Sequence, residues 1–235
     1  MSRLTFSPHV VDIYSFCGRS VLTEFAGGPR LGSVFDKARR HNLKRLEIAR
    51  NLALGLSHVH YGKDGDEAQL VHFDINPANV VVIDKNTLRI NDFNIAKTIK
   101  RNATSGDQCG VPSHHYPNAQ WRSPEEVNEH DNLSVKVDVF SLGHILYRII
   151  VGHEPWNKME NGGRRPSSQE LTRKVGAGIL PRVPRQVLDS KEPEIVVIRK
   201  AMFMCYTVDV IKRPTSKAIA KFLDDELSRL GNDKM

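Results

Sequence analysis

Leu70-Val71-His72-Phe73-Asp74-Ile75-Asn76-Pro77-Ala78-Asn79, followed a little later by Asn91-Asp92-Phe93-Asn94, is the stretch that decides the fold of this 235-residue chain. Between the two segments lie the apolar residues 80–83, the polar Asp84-Lys85-Asn86, and residues 87–90. Two β-branched runs around a polar turn predict a hairpin, and a hairpin returns its ends to one place. Asn79 at one end and Asp92 at the other can then offer oxygens to a single hard cation. Mg²⁺ takes such sites, with one or two protein oxygens and a shell completed by water and phosphate. Asp74, five residues before Asn79, is a carboxylate placed to accept a proton beside that metal.

At these residues the chain resembles the protein kinase family. That family's catalytic loop reads H-R-D-x-x-x-x-N and its metal loop D-F-G; here they stand as His72-Phe73-Asp74 with Asn79, and Asp92-Phe93-Asn94. Further matches follow in the family's order. Ser123-Pro124-Glu125 stands for A-P-E, Asp138-Val139-Phe140-Ser141-Leu142-Gly143 for D-V-W-S-x-G, and Lys212-Arg213-Pro214-Thr215 for the last motif. Small-molecule kinases share the first motif but not this downstream order.

The resemblance implies an α+β, protein-kinase-like fold: mainly the helical C-terminal lobe, with a two-strand remnant of the N-terminal lobe. Residues 1–23 would be that remnant, 24–28 the hinge and 29–235 the large lobe. Asp74 and Asn79 would be catalytic. Thr23, as gatekeeper, with Glu24 and Ala26 of the hinge, Asn79 and Asp92 would hold ATP. Asn79 and Asp92 would hold Mg²⁺. His72, Phe93, Glu125, Asp138 and Arg213 would be structural. Asp138 would bind backbone amides of the catalytic loop, and Arg213 would pair with Glu125. The implied partner is a protein substrate with a Ser, Thr or Tyr hydroxyl, and a non-catalytic kinase-like scaffold is the alternative.

Four departures from the family pattern bear on activity. Asn76 stands where serine/threonine kinases place a Lys, which removes positive charge from the site. Asn94 replaces the Gly of D-F-G, although Asn tolerates left-handed backbone. Phe73 replaces the Arg that would bind an activation-loop phosphate, so phosphorylation at Thr98, Thr104 or Ser105 loses its usual pairing. Asn118 sits where a Thr would hydrogen-bond Asp74. The glycine-rich strands, the strand Lys and the helix Glu of the family have no counterpart in residues 1–11, so the chain reads as N-terminally truncated and poorly active alone.

The remaining elements follow from patterning. Residues 9–18 and 20–25 read as two strands with no others before them, whose apolar Val10, Ile13, Val21 and Phe25 are expected to be exposed. An amphipathic helix is predicted over 43–60, ending in an acidic surface loop at 61–67. Residues 95–120 read as an activation segment and 135–151 as a buried helix, with His144 read as a core or surface residue. A loop at 161–168, a short helix from Gln169 and an apolar helix over 195–205 come next. A final helix is expected to hold Pro214 in its first turn.

Composition excludes several classes. With 40% hydrophobic and 26% charged residues the chain is of ordinary globular type. It has neither a signal-peptide pattern nor a membrane-length apolar run, which points to a cytoplasmic location. The net charge of +7 is scattered and lacks interleaved aromatics, so no specific nucleic-acid partner is expected. Cys17, Cys109 and Cys205 are widely spaced, as in a reduced protein. Cys109 with His114 and His115 reads as an incidental grouping, not a zinc site.

Overall fold

The computed structural model of the chain describes residues 7–18, 20–84, 87–113, 118–157 and 163–232. His114 and His115, residues 1–6, and parts of the turn at 84–86 and the loop at 161–168 lie outside the described residues. The fold is α+β, with short two-stranded sheets set on a helical body.

The body is built on α2 (Asn42–Tyr61) and α4 (Lys136–Val151). The predicted period on α2 buries Leu46, Ala49, Leu52, Ala53, Leu56 and Val59 against α8 (Ser216–Asn232) and its neighbours. Nearly all of α4 is buried, and it packs along α7 (Pro193–Cys205). Gly143 permits that approach: a Cβ there would stand 2.9 Å from the Tyr206 ring and 3.0 Å from Cys205 Cβ. His144 belongs to the same seam. It is fully buried with Nδ1 2.7 Å from the Tyr206 hydroxyl, and burial holds its pKa down at about 3.

The predicted hairpin forms from β4 (Val80–Val82) and β5 (Leu88–Ile90), antiparallel, with Val80 opposite Ile90. Before it come β1 (Ile13–Cys17) and β2 (Ser20–Thr23), also antiparallel. The first strand is shorter than the apolar run suggested. Residues 9–11 leave it to flank the hairpin: Ile90 N–H donates to His9 O and Val11 N–H to Ile90 O, both at 2.9 Å. Val10 is therefore fully buried, not exposed, because β5 supplies the edge it lies along. Phe16 and Phe25 do face solvent, at 79% and 85% exposure, and Val21 is exposed as well.

One feature escaped the sequence reading and another was misplaced by it. A further helix, α1 (Leu31–Ala38), follows the hinge segment and buries Leu31, Phe35 and Ala38. Pro214 precedes the last helix and lies outside its first turn: α8 begins at Ser216, and Thr215 Oγ1 caps it by accepting the Ala218 N–H at 3.1 Å. The acidic loop after α2 is exposed yet tethered, with Lys217 bonding Asp66 at 2.6 Å and Arg101 bonding Glu67 at 2.5 Å. The short α3 (Pro124–Val127), α5 (Ser168–Gly176) and α6 (Arg185–Leu188) complete the body. Among the described residues no helix is long and apolar enough to cross a membrane.

Candidate active site

A short strand, β3 (Leu70–Val71), pairs with β6 (Lys97–Thr98) and delivers the chain to His72. There α4 takes over. Asp138 Oδ2 accepts the His72 N–H at 2.7 Å and Oδ1 accepts the Phe73 N–H at 2.9 Å. Phe73 has φ 65°, a left-handed conformation costly for a bulky residue. The two charge-assisted bonds from Asp138 hold that strain in place. Asp138 Oδ2 also meets His60 Nε2 at 2.9 Å, and His60 Nδ1 lies 2.8 Å from Ser216 Oγ. Ser, His and Asp in that order resemble a hydrolytic triad. All three are buried and Asp138 is spent on backbone amides, so the row is a brace between α2, α4 and α8.

The left-handed turn at Phe73 presents Asp74, whose side chain is 28% exposed. The Asp74 N–H donates to His72 Nδ1 at 3.2 Å, so the imidazole proton sits on Nε2, which donates to the Asn91 carbonyl at 3.0 Å. Burial lowers the His72 pKa, favouring this neutral form. His72 thus ties the loop of Asp74 to the loop of Asp92, and the Phe93 ring packs against it at a tilt of 56°, with centroids 4.9 Å apart. The hairpin closes the same gap through Asn91 N–H to Asn79 O at 2.8 Å. Asn79 Nδ2 donates to Asp74 Oδ2 at 2.7 Å and to its carbonyl at 2.8 Å. Asp92 follows at φ 64°, left-handed backbone that Asp adopts more readily than most residues. Its carboxylate and the Asn79 amide oxygen are hard oxygen donors of the kind Mg²⁺ takes beside phosphate.

Asn76 turns to the backbone: Nδ2 donates to Asp74 O at 3.1 Å and Oδ1 accepts the Ala78 N–H at 2.8 Å. Asn118 does not reach Asp74 among the bonds described; it caps the turn at Ala119–Trp121 by accepting the Gln120 N–H. From this segment the side chain that reaches Asp74 is Arg122, whose Nη2 donates to Oδ1 at 2.9 Å and whose Nη1 donates to the Phe73 carbonyl. Arg122 Nη1 also stands 3.5 Å from Glu126 Oε1. Sequence reasoning missed this residue. Its one signal was an Arg set directly before Ser123-Pro-Glu-Glu126, a capping box whose Glu is buried. Burial pushes the Glu126 carboxyl up to about 7, against the pull of Arg122 and of the Ser123 N–H.

Beside these loops Arg213 grips Glu125 at 2.6 and 3.1 Å and donates to the carbonyls of Thr207 and Lys136 at 2.8 and 2.7 Å. It is fully buried over the Phe140 ring. The hinge residues lie along the hairpin. Glu24 Oε2 meets Arg89 of β5 at 2.7 Å, and Arg89 also reaches Asp12 at 3.2 Å. Thr23 Oγ1 donates to the Glu24 carbonyl at 3.3 Å. Gly28 N–H donates to Val82 O at 2.9 Å, and only glycine fits there, since a Cβ would lie 2.5 Å from that oxygen. Ala26 lines a cavity of about 400 Å³ with Arg30, Ala78, Val80, Val82 and Arg148. Ala78 is next to Asn79, so this cavity borders the Asp74 loop.

Comparison with known proteins agrees with the geometry. The family described as protein kinase domain matches residues 1–224. The chain is 27% identical over 225 residues to the mitogen-activated protein kinase kinase kinase MCK1 of Pyricularia oryzae, covering 88% of this chain and 13% of that protein. It is 22% identical over 235 residues to the serine/threonine-protein kinase STY17 of Arabidopsis thaliana, covering 96% of this chain and 36% of the relative. With the dual specificity protein kinase pyk3 of Dictyostelium discoideum it shares 25% identity over 229 residues, covering 94% and 15%. The chain therefore spans little more than a third of the longest-covered of these relatives.

Proposed function

Because the chain belongs to the protein kinase domain family, we propose that it transfers the γ-phosphate of Mg²⁺-ATP to a protein hydroxyl, with serine/threonine transfer favoured by the name of the Arabidopsis relative. The observation that carries this reading is the state of Asp74. Its carboxylate is held at both oxygens, by Arg122 and by Asn79, yet its side chain stays partly open to a substrate. A carboxylate serving only the fold would be closed over, as Asp138 is.

In this reading Asp74 orients the substrate hydroxyl and takes its proton while the hydroxyl oxygen bonds the γ-phosphorus. The bond to the bridging oxygen breaks and its electron pair leaves with ADP. Asn79 and Asp92 would hold Mg²⁺, which neutralises charge on the phosphate oxygens when bound. Backbone groups of the hinge from Glu24 to Ala26 would meet the adenine, with Thr23 beside them. His72 keeps the two loops in register, so the base and the metal ligands hold a fixed separation.

Calorimetry and transfer assays on the full-length gene product test this. Asp92→Ala should abolish Mg²⁺-dependent ATP binding. Asp74→Asn should keep binding and lose transfer by roughly 10²–10⁴-fold. Melting temperature should fall by a few degrees in Asp92→Ala, which sets alanine in left-handed backbone, and change less in Asp74→Asn, which keeps a polar side chain of the same shape. Equal Mg²⁺-ATP affinity in wild type and Asp92→Ala would remove the metal role. Transfer undiminished in Asp74→Asn would remove the base.

A further inference from the structure

Asp74 is the focus of the proposed chemistry, and the charged side chain nearest to it comes from elsewhere in the chain. Arg122 lies 48 residues on, in the loop ahead of α3, and is only 9% exposed. Its guanidinium spans three groups: Asp74 Oδ1, the Phe73 carbonyl and Glu126 Oε1. Glu126 is itself anchored, since its Oε2 accepts both the N–H and the hydroxyl of Ser123 at 2.9 Å. A helix cap thus fixes a carboxylate, the carboxylate fixes a guanidinium, and the guanidinium fixes Asp74. Burying charges in this way is costly, and apolar residues would fill the same space at least as stably. The arrangement gains its purpose at its open end, where Asp74 meets solvent.

The loop of Asp74 itself supplies no cation. Asn76, two residues on, is neutral and engaged with backbone. Phosphoryl transfer relies on positioning and on positive charge near the transferred group. We propose that Arg122 is the positioning residue for this transfer, delivered from the end of the activation segment in place of a cation in the catalytic loop. It holds Asp74 in one rotamer through Oδ1 while Asn79 holds Oδ2. It also keeps a full positive charge one side chain away from the reacting hydroxyl. Asp74 is then correctly set only while the 119–126 segment is docked, which links substrate-loop order to the base.

This inference rests on the reading of Asp74 given above, and the test separates the two. Transfer to casein and autophosphorylation are measured on the full-length gene product as wild type, Arg122→Met, Arg122→Lys, and Arg122→Met with Asn76→Lys. Arg122→Met should lower kcat by roughly 10–100-fold, the scale of a misplaced catalytic group, while KM for Mg²⁺-ATP stays within about twofold. Arg122→Lys should retain part of the rate, and it serves as the informative variant if the Met protein does not fold. Asn76→Lys should return about fivefold or more of the lost rate in the Met background, because a charge arriving from the other loop meets the same need. A residue that merely supported the fold would show losses that follow melting temperature, and no rescue from position 76. That result, or an unchanged kcat in Arg122→Met, overturns the proposal while leaving Asp74 as the base. A wild type that transfers no phosphate overturns the reading of Asp74 and the role of Arg122 with it.

Discussion

Glu125 and Glu126 are neighbours on one short helix, each meets a buried arginine, and the two pairs differ in every other respect. Arg213 on Glu125 is saturated: both carboxylate oxygens and the carbonyls of Thr207 and Lys136 surround it, and none of it reaches water. Arg122 on Glu126 is shared, for its second nitrogen goes to a carboxylate that is partly open. The closed pair joins α3 to the chain ahead of α8, and its partners are 88 residues apart in sequence. The shared pair leads outward. Identical chemistry thus becomes structural or functional according to whether its last acceptor faces the core or the solvent.

The largest effect comes from breaking the closed pair. Arg213→Ala leaves Glu125 buried and uncompensated, which should cost about 3–5 kcal/mol. For a chain of this size that is a fall of roughly 6–20 °C in melting temperature. Replacing both partners by apolar residues of similar volume should recover much of it. Calorimetry of the single and double variants checks this, and a single variant as stable as wild type would deny the burial.

Next comes the pH dependence of the shared pair. The folded-state pKa of Glu126, about 7, lies above its ordinary 4.5. A raised carboxyl contributes stability that is fully present below 4.5 and lost as pH rises through 7, at most about 3 kcal/mol. His144 acts in the opposite direction. Its pKa is lowered to about 3 from 6.5, so its contribution is present above 6.5 and lost as pH falls through 3. The two oppose each other across pH 4.5–6.5 and flatten the wild-type curve. Glu126→Gln keeps the cap and should make stability rise with pH in that window. Denaturant titrations at several pH values should show wild type minus variant falling as pH rises. Parallel curves would assign Glu126 an ordinary pKa.

The smallest effect calibrates the others. Thr215→Ala removes one helix cap on the far side of Arg213 and should cost about 1 kcal/mol, with no pH dependence between 4 and 8. A larger loss would measure the bond that Thr215 also makes to the Tyr61 side chain.

The comparison marks how far the sequence could be read. That the loops of Asp74, Asn79 and Asp92 come together was legible because the hairpin between them is local and its strands are β-branched. The structure brings Asn79 onto Asp74 and ties Asn91 to Asn79. Glu125 and Arg213 were legible only through the resemblance, since nothing local joins residues so far apart. Arg122 was illegible because its role depends on where the Trp121–Ser123 turn crosses the catalytic loop, a tertiary contact with no periodicity behind it. Val10 was misread for a related reason: its partner, Ile90, lies 80 residues on, so an edge strand looked bare when it was covered. The brief α1 carries too few turns for its period to stand out from the glycines before it.

The left-handed turn at Phe73 has a consequence for exchange with solvent. The amide hydrogens of His72 and Phe73 are held by a carboxylate on α4, 66 and 65 residues away. They do not belong to the ladder of their own short strand. Local fraying cannot release them; Asp138 must first withdraw, and α4 is the most deeply buried helix of the body. Deuterium should therefore enter these two positions only through openings as rare as global unfolding, although they sit beside a solvent-facing loop. Ala78 is itself exposed, and its amide hydrogen, which rests on the half-buried Asn76 side chain, should exchange orders of magnitude faster. The loop of Asp74 thus combines two lifetimes, with its slowest protons one residue away from its partly open carboxylate.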